Sequence, residues 1–96
     1  MIEVRKTDVF AKWLDALPDV VGRARVMARI GRLVMGNPGD VKPVGEGVSE
    51  LRIDSGRGYR VYYVQRGLEL VILLAGGDKG TQARDIRTAQ RLAQGL

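Results

Sequence analysis

The sequence predicts an α+β domain, with two N-terminal helices on a mostly antiparallel sheet of four to five strands and a C-terminal helix. Three observations carry this reading. Apolar residues recur at helical spacing between positions 7 and 35, the period changes to two from about position 40, and a last amphipathic stretch follows a glycine-rich loop. Helices bunched ahead of consecutive strands argue against alternating β–α units. With 96 residues and no repeat, linker or low-complexity segment, residues 1–96 read as one domain with one modest core.

Ile2 to Arg5 alternates apolar and polar, as a short strand does. Thr7 is suited to N-cap a helix over 7–17, whose apolar face is Phe10, Trp13, Leu14 and Leu17. Pro18 ends it, and Asp19 caps a second helix to about Met35 with Val20, Ala24, Met27, Ile30 and Val34 as its apolar stripe. The two are expected to pair as an antiparallel hairpin. Gly36-Asn37-Pro38-Gly39 is a helix stop. Val41–Val44 contains Pro43 and so belongs on a sheet edge. Val48–Asp54 alternates, Ser55–Gly58 turns, and Tyr59–Gln65 is a β-rich strand. Leu68–Ala75 is apolar throughout and predicts a strand covered on both faces. Gly76–Gly80 reads as a loop, and Thr81 caps a final helix to about Ala93, with Ala83, Ile86, Ala89 and Ala93 inward.

The chain has neither cysteine nor histidine. Disulfide frameworks, zinc fingers, thiol nucleophiles and Ser-His-Asp triads are therefore excluded. No metal or cofactor is expected, and a metal site would have to be built from carboxylates alone. The first residues are charged, unlike a secretory leader, and the longest apolar run is too short to span a bilayer. These features predict a cytoplasmic protein without membrane contact.

Sixteen basic residues, twelve of them Arg, stand against eleven acids, for a net charge of +5. The sequence pI is about 10.1. Arg recognises phosphate and carboxylate through a planar fork, so polyanions are the natural partners: nucleic acid or an acidic protein. Arg52 and Arg60 fall on alternating positions that place both on one sheet face if their strands pair across Gly56–Gly58. Such neighbours repel unless an anion lies between them; Glu50, Asp54 and Glu69 are candidates for a purely structural pairing. Gly76-Gly77-Asp78-Lys79-Gly80, entering a helix, could turn backbone N–H groups toward an anion, with Lys79 adding a full charge. Arg25, Arg29 and Arg32 share one helix face, either a solvated surface or a polyanion track. Arg57 in the turn, and Tyr62 beside Arg60 as a surface for base stacking, complete the expected nucleic-acid-binding set.

Glu50-Leu51-Arg52-Ile53, Gly58-Tyr59-Arg60-Val61-Tyr62 and Leu73-Leu74-Ala75-Gly76-Gly77-Asp78-Lys79 resemble the RelE/ParE toxin superfamily, in its HigB-like "addiction module killer protein" branch. Gly36–Asp40 and the closing helix around Asp85–Ala89 fit the same pattern, so the resemblance covers essentially the whole chain. It implies a RelE-like fold and the toxin of a type II toxin–antitoxin module. The partner it implies is an antitoxin encoded next door, in this branch usually a helix-turn-helix protein. Many relatives cleave mRNA on the ribosome, whereas the ParE branch poisons DNA gyrase. By position, Arg60 resembles the strand arginine at the scissile phosphate, Arg52 the cation on the preceding strand, and Lys79 the basic residue after the last strand. The best-known nucleases carry a catalytic Tyr or His near the C-terminus; here that helix offers Gln82, Asp85 and Gln90 instead. The alternatives implied are a non-enzymatic, gyrase-binding toxin and an inactive antitoxin-binding partner.

Overall fold

The computed structural model describes residues 2–96. In chain order the elements are β1 (Glu3–Lys6), α1 (Asp8–Ala16), α2 (Val20–Val34), β2 (Val41–Pro43), β3 (Ser49–Ile53), β4 (Tyr59–Arg66), β5 (Leu70–Gly77) and α3 (Gln82–Gln94). A single 3-10 turn, Lys79–Thr81, precedes α3. The strands form one sheet in the order β1-β5-β4-β3-β2. β1 runs parallel to β5, and every other pair is antiparallel. This is the expected α+β architecture and is consistent with a RelE-like fold.

Local chemistry sets the element boundaries. Thr7 accepts a hydrogen bond from Phe10 N at 3.1 Å while its hydroxyl donates to Leu74 O at 2.6 Å, so one side chain caps α1 and ties it to β5. Asp19 accepts from Gly22 N at 2.8 Å with one oxygen and from Tyr59 Oη at 2.8 Å with the other, which pins the start of α2 to β4. Burial and the Asp19 carboxylate both hold the Tyr59 phenol above its ordinary value, and the hydrogen bonds from Gly22 and Tyr59 hold Asp19 below its own. At the far end of α2, Gly36 N donates to Leu33 O and Asn37 N to Arg32 O, with Gly36 at φ 87°. That pair is a Schellman stop, and its left-handed residue is the expected glycine.

The two sheet faces carry separate apolar clusters. α1 and α2 cover one face with Phe10, Leu14, Val26, Ile30 and Leu33 against Leu51, Ile53, Tyr59, Val61, Tyr63, Val71 and Leu73. α3 covers the other with Ala89 and Ile86 against Tyr62, Val64, Ile72, Leu74 and Ala75. Both faces of β5 are thus buried, as its continuous apolar run required. Tyr62 pairs with Ala75 and Tyr63 with Leu73, so Leu74 is the extra residue of a β-bulge. The bulge puts Leu74 and Ala75 on the same face and reverses the alternation beyond them. Gly76 consequently faces α1 and Gly77 faces α3: a β-carbon on the first would overlap Trp13, and on the second Asp85.

Four details depart from the sequence reading. The first two helices pack mainly on the sheet, α1 on β5 and α2 on β3 and β4, and not chiefly on one another. The buried stripe of α2 is Gly22, Val26, Ile30 and Leu33, whereas Val20 and Met27 are exposed. α2 is apolar on more than one side, so spacing alone allowed two stripes. Gly22 decides between them, because only a residue without a β-carbon fits against the Tyr59 ring. In α3 Ala83 is exposed and Asp85 is buried. Finally, Gly76 and Gly77 belong to β5, and Thr81 makes no side-chain cap to α3. Among the described residues no helix is long and apolar enough to cross a membrane.

Candidate functional site

The β3–β4 pairing places Arg52 directly opposite Arg60, as the alternation predicted. Both stand on the α3 side of the sheet, with Arg60 paired to Gly77 on β5. Together with Lys79 they line a cleft of about 230 Å³ whose other walls are Asp40, Ile53, Asp54 and Gly58. Three cations from β3, β4 and the turn after β5 therefore meet, although they are far apart in sequence. Gly58 seats the lysine: a β-carbon there would come within 2.8 Å of Lys79 Cε, and its φ of 75° also favours glycine.

Arg60 is 9% exposed. Its Nη1 donates to Gly58 O at 3.3 Å and Tyr59 O at 3.2 Å, while its buried Nε has no partner. A buried guanidinium N–H without a hydrogen bond is costly in a folded chain, and here only the Glu50 carboxylate, 3.8 Å away, offsets its charge. Arg52 is more open and donates from Nε to Glu50 Oε1 at 3.0 Å.

Glu50 lies beneath the two arginines and is fully buried. Its Oε1 is 3.8 Å from Arg60 Nε, and its Oε2 accepts from Tyr62 Oη at 3.0 Å and Gln82 Nε2 at 2.8 Å. Burial pushes its carboxyl upward, but the hydrogen bonds from Gln82, Arg52 and Tyr62, with the Arg52 charge, hold it below the ordinary range. It is an ionised carboxylate satisfied from β3, β4 and α3 at once. Burial and the Glu50 charge in turn drive the Tyr62 phenol strongly upward, so Tyr62 stays protonated and donates.

This geometry corrects the placement of several candidates. Tyr62 is fully buried, because the bulge and α3 close over its ring, and it has no face on which a base could stack. Arg25, Arg29 and Arg32 line a different cleft with Ala28, Ile53 and Asp54, and Arg29 is consumed as a strut. Its guanidinium donates to the carbonyls of Arg52, Pro38 and Asp40, holding the 36–40 turn against β3. Arg57 lies apart, beside Leu17, Pro18 and Asp19. The glycine loop is no open anion cradle either: Asp78 accepts from Gly80 N at 2.7 Å, and Thr81 N donates to Asp78 O. The protein's own carboxylate occupies the place an anion would take. Among the described residues no group of three or more potential metal ligands lies together.

Sequence reasoning underrated Glu50 and named Gln82 without its contact to Glu50. The signal for Glu50 was available, since it shares face parity with Arg52 and lies across from Tyr62. Gln82 carried none, because its reach depends on where α3 docks.

Residues 12–94 match the family described as phage-derived protein Gp49-like, DUF891. The chain belongs to this Gp49-like family. The family is toxin–antitoxin-associated and RelE-like, which agrees with the resemblance drawn from Arg52, Arg60 and Lys79. An uncharacterized protein of Haemophilus influenzae is 50% identical over 95 residues, covering 99% of this Gp49-like chain and 96% of the relative. No solved structure matches.

Proposed function

We propose that this Gp49-like protein is the toxin of a type II toxin–antitoxin pair, of the HigB-like branch, and cleaves mRNA on the ribosome. One observation carries the reading: Arg52, Arg60 and Lys79 converge on a single cleft. In metal-free cleavage the RNA 2′-OH attacks the adjacent phosphorus, the new O–P bond forms, and the bond to the 5′ oxygen breaks. The products are a 2′,3′-cyclic phosphate and a 5′-hydroxyl. Two guanidinium groups on paired strands suit the charge that builds on the phosphorane, and a rigid sheet suits the required alignment. The 2′-OH loses a proton and the departing 5′ oxygen gains one, so the step balances, and Lys79 is the cleft side chain proposed to serve that transfer. Arg25, Arg32 and Arg57 are exposed cations for the ribosome, and the partner is an antitoxin with a helix-turn-helix domain encoded beside the toxin gene.

A second reading, a non-enzymatic toxin that binds gyrase, is favoured by the shortage of proton-transfer groups. Tyr62 is buried and fixed as a donor, and Glu50 is buried and ionised. Induced expression separates the two. The nuclease reading expects growth arrest with new mRNA 5′ ends inside ribosome-occupied frames. Intact mRNA with accumulating gyrase–DNA breaks overturns it in favour of the second.

A further inference from the structure

Among the described residues, Glu50 is the polar side chain that is fully buried, ionised and bonded from three elements. An isolated buried carboxylate is expensive, and a buried ion pair is weak evidence of net stability against an apolar replacement of equal volume. Val48, two residues before Glu50 and in the same α3-side cluster as Tyr62, is 1% exposed, so this side of the sheet buries an apolar side chain readily. The placement of Glu50 is therefore better explained by what it holds than by the stability it adds.

What it holds is the cleft wall. Arg52 and Arg60 are cross-strand partners, and like charges in that relation repel and splay. Glu50 Oε1 sits toward both, at 3.0 Å from Arg52 Nε and 3.8 Å from Arg60 Nε. Its other oxygen is tied to Tyr62 on β4 and Gln82 on α3, so the carboxylate cannot follow either arginine outward. Since Glu50 is fully buried, it does not itself reach a bound phosphate. We infer that Glu50 is a positioning residue, which holds the Arg52 guanidinium by a hydrogen bond and draws the Arg60 guanidinium to the same side by charge, through a Tyr62–Glu50–Gln82 relay. The inference rests on the proposed phosphate-handling role of that cleft, and it extends the site to Glu50, Tyr62 and Gln82, which act through the arginines.

The role has a signature that a merely structural or merely electrostatic one lacks. Removing the Glu50 charge makes the cleft more positive, so RNA affinity should hold or rise; losing the orientation should slow cleavage. Binding and turnover then move in opposite directions. The test uses the full chain with Glu50→Gln, Glu50→Asp, Tyr62→Phe and, as a separate control, Arg60→Ala. The measurements are induced growth arrest, mRNA 5′-end yield, and anisotropy of a labelled single-stranded RNA oligonucleotide. Glu50→Gln is expected to cut about tenfold or more slowly with RNA affinity unchanged or up to about tenfold tighter. Glu50→Asp, which keeps the charge but shortens the reach, is expected to be impaired as well. Tyr62→Phe keeps the carboxylate and removes one of its anchors, and should lose several-fold in cutting with its fold intact.

Parent-level cutting by Glu50→Gln overturns the inference, as does a parallel fall of cutting, affinity and thermal stability. Full rescue by Glu50→Asp also overturns it, since charge alone would then suffice. Should Glu50→Gln fail to fold, Tyr62→Phe decides: slowed cutting supports the relay and parent-level cutting sinks it. Arg60→Ala keeps the two readings apart. A toxic Arg60→Ala refutes the cleft's function itself, whereas an inactive Arg60→Ala beside a fully active Glu50→Gln refutes only the positioning role.

Discussion

Replacing Arg60 by Ala should abolish toxicity at a modest cost in stability, and both magnitudes follow from its surroundings. The side chain is only 9% exposed, so truncation removes packed methylenes as well as charge. Two long hydrogen bonds, at 3.2 and 3.3 Å, are lost, each worth at most about 1 kcal/mol net at such lengths. Against this, the orphaned Nε disappears, relieving a penalty of about 1–3 kcal/mol. The repulsion from Arg52 goes too, and with the packed methylenes the 3.8 Å ion pair to Glu50 is lost, although Glu50 keeps Arg52, Tyr62 and Gln82 as partners. The terms largely offset, leaving a net destabilisation of about 1 kcal/mol, which for a domain of this size is a fall of about 4–8 °C in Tm. The functional loss is expected to be far larger. Removing a preorganised donor to a developing anion costs about 10²–10³ in rate. Arg60→Lys should restore little, since an ammonium cannot present two parallel N–H donors. Growth arrest on induction, thermal unfolding and mRNA 5′-end yield should be measured on the same preparations. An Arg60→Ala chain as toxic as the parent, or one that loses cooperative unfolding, would refute the reasoning.

The α2 arginines should separate by their contacts: Arg29→Ala removes bonds to three backbone carbonyls and should cost about 2–3 kcal/mol in urea unfolding, whereas Arg25→Ala should stay within about 0.5 kcal/mol. Equal effects would show that the strut does not hold the 36–40 turn. Stability should also fall in acid because of Glu50. Its folded value lies below the ordinary 4.5, so its contribution is fully present above about pH 4.5 and is lost as pH drops through the lower folded value. Urea midpoints taken from pH 7 down to pH 3 should fall more steeply for the parent than for Glu50→Gln; superimposed curves would rule out an ionised Glu50.

Most of the element order was legible because local chemistry agreed with the tertiary structure. Thr7 and Asp19 both cap where the sequence placed them, Gly36 stops α2, and Pro43 sits in an edge strand. The facing of Arg52 and Arg60 was legible too, since a tight turn between alternating strands leaves few registers. What could not be read depended on contacts distant in sequence. The rotation of α2 follows from the fit of Gly22 against Tyr59, 37 positions away. The burial of Asp85, where Ala83 was expected, follows from the room that Gly77 leaves on β5. The bulge at Leu74 has no local signature, yet it decides which of Gly76 and Gly77 faces which helix.

The same distinction explains why the cleft is made of strand side chains and not of the glycine loop. A loop rich in glycine entering a helix suggests backbone N–H groups free for an anion, but Asp78 and Thr81 use those groups to shape the turn. Once the turn is closed internally, its contribution to the site is the exposed Lys79 at the cleft rim. The remaining charge must then come from residues whose geometry the sheet enforces. Arg52 and Arg60 meet that need only because a third group keeps two cations side by side. Glu50 does so from beneath, fully buried, so it lowers the positive potential of the cleft without taking a place on its surface. The arrangement thus separates two demands that conflict at an exposed site: positive potential toward solvent, and a counter-charge that keeps the guanidinium groups from splaying apart.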